Sequence, residues 1–556
     1  MEFHFADAWE AIAEAIPESP ALICGGVTRD WRAFEARAAS LATALARAGL
    51  GAGARAGVYL QDSNECLEAQ FALFKLGGCA VNIDTRHKAD ELVRLLDLVG
   101  AEAVVYPSCF AARIWEIQKR LPKVKCFVEV ADGTENIPVR GRVDYETALR
   151  EHAAQPRARV HPADAACAFL ASGTTRRPRL LTYRQGEFCA ALVREAFDAH
   201  GIDAPGSLAA LANGVRGLQA SGSQPVSLLA CPLPHLGSMW LGALPALLAG
   251  GAVVTMRRSG FDADLTWEEV GERRASELVI GGDAFARPLL AALDVAAAEG
   301  RPYALASLRR IVSSGAMWRR ATKQGLLGHH DLCLHDVLLA VEGRMGMSVM
   351  TRDHAVATAA FARERGVRVL AEDGRDVQPG GGEVGGGEVG EVAVRGVLPI
   401  DACEDAAHCT DPCRLLDGER HGMPGDHARL AADGSLLLLG RGSQCIETAR
   451  GTVYAEVVEE VLKDHPAVLD CLVVGQPAAD GEVQVIALAA VDEALADAAV
   501  ETERTLLAFA HAHLPAQQQP ARVLPVTQVR RSANGKPDYR WAIAAWAEHD
   551  AASRLQ

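Results

Sequence analysis

The stretch Phe169-Leu170-Ala171-Ser172-Gly173-Thr174-Thr175-Arg176-Arg177-Pro178-Arg179 gathers small hydroxyl residues around a glycine and follows them with arginines. Successive backbone N–H groups and hydroxyls in such a segment can converge on phosphate oxygens as an anion-binding nest, and guanidinium groups add bidentate contacts. It is not the Walker pattern, because no Gly-Lys-Ser/Thr follows the first glycine at the required spacing. Most Ser/Gly/Thr segments are turns, so the loop alone leaves the chemistry open. Downstream, Pro232-Leu233-Pro234-His235-Leu236-Gly237 offers an imidazole, Asp336 to Glu342 two carboxylates and Pro424-Gly425-Asp426 an aspartate. Gly440-Arg441 adds a guanidinium and Asn534-Gly535-Lys536-Pro537 a lysine. Taken singly, each has an ordinary use: a core histidine, a surface glutamate, a turn aspartate, a hairpin lysine.

Other chemistries find little support. The chain has no paired CxxC, no HExxH and no GxSxG. Its 14 cysteines are scattered over a long chain and read as buried free thiols, not a disulfide framework. Cys403, Cys409 and Cys413 with His408 lack zinc-ligand spacing and read as loop thiols. Gly51 to Gly57 (GAGARAG) has the wrong glycine spacing for a dinucleotide loop and precedes a strand, so it reads as a turn.

The elements that must position these residues alternate. Phe34, Ala38, Leu41, Ala42 and Leu45 fall on one helical face, closed by Gly49 and Gly51. An apolar run at Gly57–Leu60, a helical stretch from Glu65 to Leu76 and a β-rich Cys79–Ile83 follow. Strand patterns recur at Ser227–Cys231, Ala252–Met256 and Leu278–Ile280, which argues α/β with a largely parallel sheet. From about Leu370 to Leu398 the texture turns Gly-rich and hairpin-like, with a tandem GGGEV at Gly380 to Val389 that reads as a loop repeat. After the strand run Ser435–Leu439 comes an α+β tail: a helix around Val457–Leu462 that stops at Pro466, then strands at Leu472–Val474 and Val483–Ala490. The expected division is a body over 1–440, a hinge at 441–443 and a small domain over 444–556.

Composition bounds the partners. At 556 residues the chain is long enough for several packed units, and 49% hydrophobic with 23% charged residues is ordinary for a globular protein. A formal net charge of −15 argues against nucleic acid or an anionic membrane as the main partner. No apolar stretch is long enough to span a bilayer. The acidic, amphipathic start MEFHFADAWEAIAEAIPES has neither a basic nor an apolar signal region, so the cytoplasm is expected.

The segments named above occur in a meaningful order. ASGTTRRPR resembles the phosphate loop [ST]-G-[ST]-T-G-x-P-K-G of the adenylate-forming superfamily, which joins acyl-CoA synthetases, nonribosomal adenylation domains and luciferases. Pro232–Gly237 resembles that family's P-L-x-H-x-x-G segment. Gly282–Pro288 and Leu308–Trp318 resemble segments of bacterial fatty-acyl-CoA synthetases on the acyl and adenine sides. Asp336–Glu342 stands where the family has Y/F-G-x-[ST]-E, Pro424-Gly425-Asp426 matches T-G-D in its last two positions, and Gly440-Arg441 and Gly535-Lys536 match the hinge-proximal G-R and C-terminal G-K.

The resemblance implies a large body of stacked α/β subdomains with a β-rich part, and a small mobile α+β domain. It implies that a carboxylic acid, fatty or otherwise apolar, attacks the α-phosphate of ATP to give an acyl-adenylate, which coenzyme A then discharges. Ser172, Gly173, Thr174 and Thr175, with Arg176 and Arg179, are implied to hold the phosphates. Asp336 is implied on the adenine side, and Asp426 and Arg441 at the ribose. Thr175 and Glu342 are implied to hold Mg²⁺, Lys536 to be the catalytic lysine, and His235 to stand near the acyl pocket and thiol path. Met239, Trp240 and Ser313–Trp318 are candidates to line that pocket or to be plain core.

The sequence also departs from the pattern. Arg176, Arg179 and Leu180 replace glycine, lysine and glycine in the loop; Leu338, Leu339 and Val341 replace the aromatic, glycine and hydroxyl residues of the adenine segment; and Thr448–Thr452 lacks the paired glycines. Three readings follow: an acyl-CoA synthetase with an altered loop, an adenylating ligase that serves a carrier protein or another nucleophile, and a noncatalytic acyl- or nucleotide-binding relative. A homodimer is left open.

Overall fold

The computed structural model describes residues 3–135, 139–152, 164–171, 178–256, 260–380, 387–395, 400–404, 413–478, 481–532 and 535–554. Its N-terminal part holds two parallel arrays where the sequence suggested one. The first is a five-stranded sheet in the order Cys79–Asn82, Arg55–Val58, Ala103–Pro107, Cys126–Val130, Arg142–Asp144, parallel throughout. The second runs Pro20–Cys24, Ala252–Thr255, Val226–Leu229, Glu277–Ile280, Arg310–Ser314, Cys333–Ala340, also parallel. Periodicity locates strands but carries no information about which sheet each one joins.

The helix Trp31–Arg47 shows how local signals build the layers. Asp30 caps it by accepting the Ala33 N–H at 2.7 Å, and the predicted stripe Phe34, Ala38, Leu41, Ala42 and Leu45 is buried. This face meets the helix Asn64–Lys75 and Trp9 in an aromatic cluster with Phe71 and Phe74. The turn expected at Gly51–Gly57 gives way to a strand at Arg55.

Past Ala340 the second array turns antiparallel. Gly343–Met350 pairs back on Cys333–Ala340, and a β-rich region follows through Ala360–Arg363, Leu436–Arg441, Asp426–Leu430 and Gly390–Val394. A separate hairpin, Ala166–Ala171 with Arg179–Arg184, brackets the expected phosphate loop, whose residues Ser172 to Arg177 lie outside the described residues. The thiol cluster falls largely there too: His408 and Cys409 and the side chain of Cys403 are not described.

The tail has a core of its own. Strands Asp470–Pro477, Val483–Ala490 and Arg522–Val526 form one sheet between helices Ala455–Lys463, Ala499–His513 and Tyr539–Arg554. Val458, Leu462, Val473, Ala487 and Val523 fill one face, and Leu472, Ile486, Leu488 and Trp546 the other. Among the described residues no helix is long and apolar enough to cross a membrane.

Candidate active site

Ligand sites in open α/β sheets lie beyond the carboxyl ends of the strands. Here those ends supply Ala230–Gly237 after Val226–Leu229, Gly281–Gly282 after Glu277–Ile280, Gly315–Trp318 after Arg310–Ser314, and Val341–Glu342 after Cys333–Ala340. The tail closes over them and leaves a cleft of about 470 Å³ lined by both parts. Asp336, Leu338, Phe361, Asp426 and Arg441 come from the body; Glu456, Asp470, Gly535 and Tyr539 come from the tail.

Lys536 is delivered by a tight turn. Gly535 has φ +76°, and a Cβ there would stand 2.7 Å from the Gly281 carbonyl oxygen and 2.9 Å from Ala284 Cβ. Only glycine allows this approach of tail to body. Arg531 holds the turn, donating to the Gly535 carbonyl at 3.0 Å while its guanidinium grips Asp470 at 2.6 and 2.7 Å. Lys536 Cε then lies over the bare α-carbon of Gly315, 3.7 Å from where a Cβ would be; His235 Nε2 is 3.4 Å from the same point. Burial, helped by Arg441, brings the Lys536 ammonium down to about 8, with Asp426 opposing. Burial and the Lys536 charge bring His235 down to about 3, so it is a neutral imidazole. Its Nδ1 is sealed from solvent with no hydrogen-bond partner among the described residues. The His235 loop is fixed from beneath by Asp62, which accepts the Leu233 N–H at 2.9 Å, and by Ser238, which donates to the Cys231 carbonyl at 2.9 Å.

Asp426 and Arg441 face each other across neighbouring strands, with Nε 3.6 Å from Oδ1. Asp426 is buried, its Oδ2 has no hydrogen-bond partner among the described residues, and burial raises its pKa against the pull of Arg441, His427 and Lys536. An orphaned carboxylate oxygen beside a cation fits a ligand that brings hydroxyl donors. Glu342 is buried against Gly422, where a Cβ would come within 2.6 Å of its side chain. Burial raises its pKa, while Arg179 and Arg441 pull the other way. Tyr183 on the hairpin donates to the Val341 carbonyl at 2.7 Å, tying the Glu342 turn to the strand after the phosphate loop. A single carboxylate among cations fits a hard cation that takes its remaining oxygens from phosphate and water. Among the described residues no larger group of metal-ligating side chains is gathered.

Lys536, His235, Asp426, Arg441, Glu342 and Arg179 thus share one electrostatic neighbourhood, and Asp336 lines the adjoining cleft. Ser172, Gly173, Thr174, Thr175 and Arg176 lie outside the described residues. Met239 and Trp240 turn away from the cleft into the core, where Trp240 meets Phe169, Tyr183 and Phe188 edge-on. Trp318 is likewise core. Several participants have no signal in the sequence. Lys323, buried 5.0 Å from the Trp318 ring, holds Asp336 at 2.7 Å. Phe361 brings an aromatic edge to the cleft wall beside Leu338, where the family's own aromatic residue is missing. Glu456, pushed up to about 8 by burial and by Glu459 and Asp426, rests on Gly440 next to the expected hinge.

Comparison with known proteins gives this geometry a family. The model for AMP-binding enzymes matches residues 9–398, and that for the AMP-binding enzyme C-terminal domain matches 457–536. The chain is 29% identical to a 3-oxocholest-4-en-26-oate–CoA ligase of Rhodococcus rhodochrous, covering 98% of this chain and 96% of that one. It is 30% identical to the medium-chain acyl-CoA ligase Mig of Mycobacterium avium, covering 96% of each. The fold superposes on an anthranilate–CoA ligase bound to anthranoyl-AMP with a TM-score of 0.81 at 19% identity, over 99% of this chain and 98% of that one. The chain belongs to the AMP-binding enzyme family and carries both its main domain and its C-terminal domain.

Proposed function

We propose that the chain is an ATP-dependent acid–CoA ligase that activates an apolar carboxylic acid as its acyl-adenylate and passes the acyl group to coenzyme A in the cytoplasm. The observation that carries the reading is the convergence of Lys536, on the tail, with Asp426, Arg441, Glu342 and His235, on the body. Attack of a carboxylate on a phosphate brings two anions together, so the reaction needs positioning and charge neutralisation more than covalent help. Lys536 keeps its proton below about 8 and offers an ammonium to the carboxylate and α-phosphate oxygens as charge develops there. Asp426 accepts the ribose hydroxyls with its unpartnered Oδ2, and Arg441 steadies it. Leu338, Leu339 and Phe361 form the apolar wall against the base, with Asp336 at its edge. Glu342, with Thr175, holds Mg²⁺, which when bound neutralises the departing phosphates. Ser172, Gly173, Thr174, Arg176 and Arg179 take the outgoing pyrophosphate. Neutral His235 carries no charge to compete for the carboxylate.

The second half-reaction needs the thiol where Lys536 stands, so the tail turns about 441–443, between a body over 1–440 and a domain over 444–556. The names of the relatives point to medium or long chains and steroid side-chain acids as the substrates to try first. The test is pyrophosphate release and acyl-AMP formation over a panel of such acids, with and without coenzyme A. Thioester formed only with acid, ATP and coenzyme A together is the expected result. Adenylate that coenzyme A leaves intact would move the acceptor to a carrier protein or amine, and a folded chain that binds no ATP by calorimetry would refute the reading.

A further inference from the structure

A second cavity, of about 750 Å³, opens behind the strand Cys333–Ala340. This is in the upper part of the range of about 300–1,000 Å³ usual for small-molecule sites. Val337 lines both this chamber and the nucleotide cleft. The chamber's wall on that side is apolar: Leu241, Val312 and Val337 form a small cluster of their own, with Met347 and Leu339 packed on it. Leu241 belongs to the π-helical turn Ser238–Ala243, which begins directly after the His235 loop. A tail whose carboxylate sits at Lys536 and His235 therefore has an apolar route past Val337.

The far end is different in character. Cys333, His335 and Val337 alternate onto one face of their strand, so its early residues carry polar groups into the same chamber. Opposite them, the ladder between Cys333–Ala340 and Gly343–Met350 slips between Leu338 and Leu339. The slip brings Arg344 and Met347 to the chamber together and leaves Met345 on the cleft side. The charges at this end are already matched. Arg310 is ion-paired with buried Glu277, which also accepts from Ser227 at 2.8 Å. Arg344 lies between Glu195 at 2.9 Å and Glu364 at 2.7 Å. What is left is neutral: His335, with Nε2 3.1 Å from Cys333 Sγ, is brought down to about 4 by burial and by Arg310 and Arg344, and His200 is lowered by burial and by Arg310.

From this layout we infer that the chamber takes the acyl tail and selects acids bearing a neutral oxygen, a carbonyl or hydroxyl, at the end remote from the carboxylate. The inference rests on the acid-ligase reading above. A plain hydrocarbon end would bury the His335 imidazole against nothing that can hydrogen-bond, and a second carboxylate would add a charge beside guanidinium groups already paired. A neutral acceptor or donor meets the imidazole, which has one of each.

The experiment compares kcat/KM for three acids of one carbon skeleton: unsubstituted, remote oxo or hydroxy, and remote carboxy. Each is assayed with the full chain and with His335→Leu and Leu241→Trp. The expected result is a preference of about tenfold or more for the remote oxo or hydroxy acid over the other two, the worth of one well-made hydrogen bond. His335→Leu should bring the oxo-to-plain ratio close to one, and Leu241→Trp should lower the ratio of long to short acids. Turnover of the plain acid equal to or better than its oxo counterpart would overturn the inference while leaving the ligase reading intact. If no acid is turned over, the ligase reading fails. Calorimetric binding of the same three acids then decides the chamber alone: equal or absent binding overturns it, and preference for the oxo acid that His335→Leu abolishes upholds it.

Discussion

Lys536 is held as an ammonium in a place that weakens its hold on the proton, through burial and Arg441. The charge that favours adenylation is present below about 8 and lost above it, so acyl-AMP formation should fall as pH rises through about 8. A pH profile of the first half-reaction checks this, and a rate that climbs through that region would contradict it. Lys323 makes a second prediction at this scale. Lys323→Met leaves the buried Asp336 carboxylate without its cation and should destabilise the fold by about 3–5 kcal/mol in chemical denaturation. The double variant Lys323→Met with Asp336→Leu should recover much of that loss. The two residues also mark how far the site was legible. Lys536, Asp426, Arg441 and Glu342 stand in short segments where neighbours such as Gly535, Gly425 and Gly440 disclose the geometry. Lys323 and Arg531 act on partners across the fold, Asp336 and Asp470, and nothing local announces such a pairing.

At the scale of elements, the turn that carries Lys536 is set by contact as well as by sequence. Gly535→Ala would place a methyl 2.7 Å from the Gly281 carbonyl oxygen at a positive φ. Displacing the turn by about 1 Å should lower adenylation by about a hundredfold. Thioester formation from supplied acyl-AMP should change far less, and equal loss in both half-reactions would contradict this placement. The strands and helices themselves were largely readable: the tail helix predicted around Val457–Leu462 is Ala455–Lys463, and the strand predicted at Val483–Ala490 is found there. Alternation reveals which face of a strand is apolar but not what covers it. Met239 and Trp240 therefore read equally as pocket or core, and the π-helical turn sends them to the core while Leu241 meets the chamber.

For the molecule as a whole, the contact between body and tail is the feature that must both form and release. Arg319 bridges it, ion-paired to Asp283 in the body and donating to the Lys463 carbonyl in the tail. Glu456 presses on Gly440 with a carboxyl pushed up to about 8. Its pKa in the docked state exceeds that of a free glutamate, so its contribution to docking is fully present at low pH and is lost as pH rises through about 8. Raising pH through that value should loosen the tail, read as faster proteolysis near residue 443, and Glu456→Gln should remove the dependence. A cleavage rate insensitive to both would show that the carboxyl does not govern docking. The net charge of −15 also takes on meaning at this scale, because the cations that meet ATP are concentrated at Arg179, Arg441 and Lys536 within an otherwise acidic chain. The account rests on that cleft being where a carboxylate is activated. Acid-dependent exchange of labelled pyrophosphate into ATP, measured for the native chain and for Lys536→Ala, tests this most directly. The predicted result is exchange that requires a carboxylic acid and falls by about a hundredfold or more in the variant; exchange that is absent with every acid, or undiminished in Lys536→Ala, would contradict it.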